Sequence, residues 1–69
     1  MNIENTKALG ESVRQSRRRS GVTQKEVALA AGTGLRFIGE LESGKPTCHI
    51  GKVFDVLRTL GMHVRIEQR

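Results

Sequence analysis

Little in this sequence suits oxidation, secretion or membrane insertion. It holds a single cysteine, Cys48, in 69 residues. One thiol cannot close an internal disulfide, which fits a reducing, cytoplasmic setting. No run of about 18 apolar residues occurs, so no membrane-spanning helix is expected. Met1–Thr6 lacks both a basic start and an apolar stretch, so a secretory leader is not expected either. No glycine-rich loop follows a strand, which removes support for nucleotide binding. Cys48 and His49 are adjacent on a loop, without a third group to orient them as nucleophile and base. His63 lies far from both, and no ligand spacing typical of a metal site appears. The chain therefore does not read as an enzyme, and neither a cofactor nor a metal is expected. Its length suits one domain, 1–69, with a core small enough that dimerisation helps.

Acids are scarce where bases are dense. The formal charge is +5. Between Arg14 and Lys52 stand eight bases, Arg14, Arg17, Arg18, Arg19, Lys25, Arg36, Lys45 and Lys52. Only Glu26, Glu40 and Glu42 oppose them there, whereas the charges of the two ends cancel. A basic middle between neutral ends suits either a polyanion-binding surface or a solvated basic face.

The residue pattern predicts four helices. Thr6 is placed to cap the first, Lys7–Arg19, with Leu9 and Val13 on its inner face and arginines in its last turn, where the dipole favours cations. Gly21 ends it. Thr23-Gln24-Lys25-Glu26 reads as a capping box that opens a short second helix, Gln24–Ala31, closed by Gly32 at positive φ. A third helix starts near Gly34–Leu35 and runs to about Glu42, its inner face made by Phe37, Ile38 and Leu41. After the turn Ser43-Gly44-Lys45-Pro46, a fourth helix, about Ile50–Leu60, aligns Ile50, Val53, Phe54, Leu57 and Leu60. Gly61 closes it. The period then changes. Met62, Val64 and Ile66 alternate with polar residues, which predicts a strand over 62–67. An isolated strand is not stable, so its expected partner is the same strand of a second copy, antiparallel about a two-fold axis. A frayed tail is the other reading.

The segment GVTQKEVALAAGTGLRFIGELESGKPT carries the sharpest signal. Small or apolar residues stand at Val27, Ala28, Ala31, Ile38 and Leu41, with Gly32 between two short helices. Ala28 must be small for the third helix to cross closely, and Gly32 must turn the chain within a few residues. This run resembles the Cro/C1-type (XRE) helix-turn-helix family over about Leu9–Leu60. The phrase R-F-I-G-E-L-E-S-G-K-P-T, the ending L-R-T-L-G and the alternating strand are most similar to the HipB-like antitoxins. The resemblance implies an all-α, lambda-repressor-like four-helix DNA-binding domain, with its helix-turn-helix unit at about 23–42. It also implies a homodimer on a palindromic double-stranded operator, repression of its own operon, a bacterial nucleoid-associated setting and a HipA-type kinase toxin as partner. A stand-alone phage- or plasmid-type regulator with no toxin is the alternative.

In such a fold the third helix lies in the major groove with its N-terminal residues nearest the bases. That makes Gly34, Leu35, Arg36 and Glu40 the candidate base contacts. Arg36 suits guanine O6 and N7 bidentately, or else a phosphate. Leu35 suits a thymine methyl or a surface role. Glu40 suits a cytosine amine, an orienting role on Arg36, or none. Gly34 stands where the family usually has Ser or Thr, which permits close approach to DNA and removes a phosphate bond. Gln24 opens the second helix, where backbone N–H groups and the dipole favour an anion. Thr23, Lys25, Lys45 and Thr47 flank it as further phosphate contacts, with Arg14, Arg18 and Lys52 more distant. The resemblance assigns Arg17 and Glu42 to a structural ion pair rather than to DNA.

Overall fold

The computed structural model describes residues 2–68, so the expected range 1–69 runs one residue beyond it at each end. Four helices follow in order: α1 (Thr6–Arg19), α2 (Gln24–Ala31), α3 (Leu35–Glu42) and α4 (Ile50–Thr59). Among the described residues none is in a strand, and no helix is long and apolar enough to cross a membrane.

Local chemistry explains the helix ends. The capping box at α2 is complete: the Glu26 N–H donates to the Thr23 hydroxyl at 3.1 Å, and the Thr23 N–H donates to Glu26 Oε1 at 2.9 Å. Gly32 ends α2 at φ 72°, a left-handed conformation that glycine adopts without a Cβ penalty. The start of α1 differs from expectation. Asn5, not Thr6, is the cap, its side chain accepting the Ala8 N–H at 2.8 Å. Thr6 is already helical, and its hydroxyl donates instead to the Gly44 carbonyl at 2.9 Å. Both residue types can cap; the long-range bond from Thr6 leaves that role to Asn5.

Val13, Val27, Ile38 and Val56 are fully buried at the centre, joined by Ala28, Leu41, Val53 and Leu57. α3 packs against both α1 and α2, and α4 packs against α2. Where α1 meets the end of α3 there is no side chain between the backbones. A Cβ on Gly10 would lie 2.3 Å from the Leu41 carbonyl oxygen and 2.8 Å from that of Glu42. Phe37 packs at the edge of the core, half-buried.

One expectation needs correction, and one concerns a second copy that a single chain does not contain. The inner face of α4 is Val53, Val56 and Leu57, with Leu60 partly buried; Ile50 and Phe54 are exposed. α4 turns Val53, Val56 and Leu57 to the core, where α2 is its main neighbour, so a narrower stripe than the sequence offers is buried. In the tail, the strand over 62–67 is not formed within one chain. The Met62 N–H donates to the Leu57 carbonyl at 2.8 Å, and Met62 packs on the core. Beyond it Val64 is 50% and Ile66 87% exposed. A strand whose ladder needs a second copy has nothing to pair with in a single chain.

Candidate nucleic-acid interface

α2 presents its N-terminus with two backbone donors to spare. Thr23 and Glu26 satisfy each other, and the Val27 N–H donates to the Thr23 carbonyl at 3.1 Å. The N–H groups of Gln24 and Lys25 find no acceptor among the described residues. Together with the helix dipole they form an anion-favouring end. Donation by Thr23 to the carboxylate, from its backbone N–H first and its hydroxyl second, holds the Glu26 carboxyl below its ordinary value of 4.5.

The Gln24 side chain is less available than its backbone. Its Nε2 donates to Glu42 Oε1 at 3.1 Å. Arg17 grips the same carboxylate in a fork, Nε to Oε2 at 2.6 Å and Nη2 to Oε1 at 3.1 Å, and its Nη1 donates to the Val22 carbonyl at 2.9 Å. This network joins α1, the loop after it, α2 and the last residue of α3. The Glu42 side chain is only 4% exposed. Burial pushes its pKa up, but the bonds from Arg17 and Gln24 and the charges of Arg17 and Arg14 outweigh that and hold it below the ordinary 4.5. Among the described residues no buried side-chain polar atom lacks a partner. The Glu42–Gln24 coupling was not anticipated from sequence; no local pattern links residues on separate helices.

The outer face of α3 is open. Gly34 is its N-cap in extended conformation and makes no side-chain capping bond. Leu35 and Arg36 follow at the first turn; Leu35 is 52% exposed and the Arg36 side chain 91%. One turn on, Gly39 has empty space where a Cβ would stand, although glycine inside a helix gives up about 1 kcal/mol against alanine. Sequence reasoning missed this glycine, whose mid-helix position was the available signal. Glu40 completes the face. Its Oε2 accepts from Lys45 Nζ at 2.9 Å and lies 3.7 Å from Arg36 Nε. The Lys45 bond chiefly, with the charges of Lys45 and Arg36, keeps the Glu40 carboxyl below 4.5 against the opposing effect of burial.

The remaining candidates are exposed: Lys25, Thr47, Arg14, Arg18 and Lys52, the last with its ammonium 5.9 Å from the centre of the Phe37 ring. The structure thus gives every acid of the basic middle an internal partner: Glu26 in a cap, Glu42 in the buried network, Glu40 on Lys45. Arg14, Arg18, Arg19, Lys25 and Lys52 make no ion pair among the described residues. His49 caps α4, its Nδ1 accepting from the Lys52 N–H at 3.3 Å, and Cys48 packs beside the core. Among the described residues, no group of three His, Cys, Asp or Glu side chains is arranged to hold a metal ion.

Comparison with known proteins yields concordant matches. A family model described as "Helix-turn-helix domain" matches residues 8–67. A protein of Sinorhizobium fredii (strain NBRC 101917 / NGR234), named "Uncharacterized HTH-type transcriptional regulator y4mF", is 52% identical over 58 residues, 84% of this chain and 76% of that protein. Among solved structures, a chain of a "HipB-O4 20mer complex" superposes with a TM-score of 0.91 at 20% identity, covering 99% of this chain and 96% of its own. A chain of a HipB-O1-O2 complex gives 0.90 at 20% identity, covering 99% of each chain.

Proposed function

The chain belongs to the helix-turn-helix domain family, and from that premise we propose that it is a sequence-specific DNA-binding transcriptional repressor. The observation that carries this reading is the electrostatic arrangement of α2 and α3. The acids of the basic middle are engaged internally, which leaves cations and two helix N–H groups for phosphates. Leu35 and Arg36 stand out from the start of α3, on the face such a helix turns to the major groove. In this reading Gly34, Leu35, Arg36 and Glu40 face bases. Thr23, Gln24, Lys25, Lys45 and Thr47 meet phosphates, with Gln24 acting mainly through its backbone N–H. The test is the salt dependence of duplex binding. The logarithm of the association constant should fall linearly with the logarithm of salt, at a slope of about 0.9 per phosphate neutralised. A flat response between low and moderate salt would refute DNA binding.

We further propose a two-fold dimer, with the Met62–Glu67 strands pairing antiparallel and Met62, Val64 and Ile66 on the covered side. Exposed Val64 and Ile66, with the exposed Ile50 and Phe54 of α4 as further apolar surface in the C-terminal half of the sequence, support it. Val64→Ser with Ile66→Ser leaves Met62 on the core, so the monomer should keep its fold. In sedimentation equilibrium the dimer should weaken by at least tenfold, in line with burial energies of about 1.5 kcal/mol or more for each large apolar side chain. An unchanged dimer would move the interface to Ile50 and Phe54. The likeness of the phrase Arg36–Thr47 to HipB-like antitoxins supports a finer reading, the autorepressing antitoxin of a HipBA-like operon bound to a HipA-type kinase toxin. A kinase-like reading frame beside this one, and its co-purification, would support that. Without them the stand-alone regulator is the better reading.

A further inference from the structure

Glu40 is an odd residue for a surface that meets phosphates, and its surroundings are more constrained than its position suggests. Gly44 turns the chain at φ 88°, which brings Lys45 back over the end of α3. Lys45 is then tied twice to the same residue: its N–H donates to the Glu40 carbonyl at 3.0 Å, and its ammonium to Glu40 Oε2 at 2.9 Å. The carboxylate therefore has a fixed base. One helical turn back, its Oε2 faces the Nε edge of Arg36 at 3.7 Å. That distance is an ion-pair contact rather than a hydrogen bond, and it engages the inner edge of the guanidinium only. The Arg36 side chain is 91% exposed, which leaves its two terminal nitrogens open, and a pair of terminal N–H groups is the fork that fits guanine O6 and N7.

We propose that Glu40 is a positioning residue for sequence reading, a Lys45-anchored buttress that holds Arg36 by its Nε edge and aims its terminal fork at a guanine. This rests on the DNA-binding reading above and adds how one base is chosen. A long, exposed arginine otherwise loses much rotamer freedom when it is fixed on a base edge. The buttress removes part of that loss before DNA arrives, and Lys45 offsets the charge that would repel phosphates.

The test uses a duplex that the unmodified protein recovers from a randomised pool, and a random duplex of the same length. The ratio of the two affinities is measured for the parent, Glu40→Ala, Arg36→Ala and the double variant. Glu40→Ala should lower the ratio roughly tenfold, a fraction of what one bidentate base contact discriminates, while random-duplex binding strengthens as a negative charge leaves the surface. In the Arg36→Ala background Glu40→Ala should not lower the ratio further. Lys45→Gln should lower it part of the way, because it releases the carboxylate. An unchanged ratio in Glu40→Ala would overturn the proposal, and so would a full loss persisting without Arg36, which would make Glu40 a direct base contact. If the parent recovers no preferred sequence, the DNA reading itself fails instead. Thermal melts of each variant separate these outcomes from unfolding.

Discussion

Gly10→Ala should destabilise the protein by about 3 kcal/mol or more, although alanine is the better helix former. Propensity alone favours alanine in the interior of a helix by about 1 kcal/mol. Against that stands a new Cβ placed 2.3 Å from one carbonyl oxygen of α3 and 2.8 Å from the next. Those neighbours are backbone, so no side-chain rotation relieves the overlap; α1 must lift from α3. Overpacking of this kind costs about 1–3 kcal/mol where side chains can shift, and more where they cannot. For a domain this small each kcal/mol moves the melting temperature by about 4–8 °C, so a fall of more than 12 °C is expected by circular dichroism. Gly39→Ala is the matched control. The same change in open space on α3 should raise stability by about 0.5–1 kcal/mol. If the two variants melt alike, the close approach of α1 to α3 is wrong.

The second large effect is Glu42→Ala, expected to cost about 3–5 kcal/mol by leaving a part-buried guanidinium without its counter-charge. Arg17 would keep only the Val22 carbonyl, and the Gln24 amide would lose its acceptor. Replacing both partners, as Arg17→Met with Glu42→Leu, should recover most of that loss, because a matched apolar pair leaves no charge stranded. Urea denaturation of the single and double variants checks this. The same carboxylate shapes the acid limb. Its folded-state pKa lies below the ordinary 4.5, so its stabilisation is complete above that value and disappears as pH falls through the folded pKa. Glu26 and Glu40 act with the same sign. The parent should therefore lose stability below about pH 4.5, and Glu42→Ala should show a shallower decline.

What was legible in the sequence was mostly local. Thr23, Glu26 and Gly32 define α2 because capping and a left-handed turn need particular side chains at fixed offsets, and the structure has each bond they imply. The choice between Asn5 and Thr6 was not legible, since it turns on a hydroxyl bond to Gly44, thirty-eight residues away. Nor was the orientation of α4. Val56 and Phe54 are both apolar, and only tertiary packing decides which of them is inside. Gly10 was not singled out in the sequence, yet Gly10, Val13 and Arg17 form one stripe, and a residue without a side chain there permits backbone contact. For the candidate interface, the pairing of Arg17 with Glu42 came through resemblance, and the hold of Glu42 on Gln24 came only with coordinates.

The division of labour along α3 has an evolutionary consequence. Ile38, Leu41 and Glu42 hold the helix to the protein, while Leu35, Arg36, Gly39 and Glu40 contribute nothing to the core. Inheritance can therefore rewrite the second set almost without regard to folding. On the DNA-binding reading proposed above, duplicated copies of such a gene could diverge to new addresses on a chromosome while keeping the architecture that carries them.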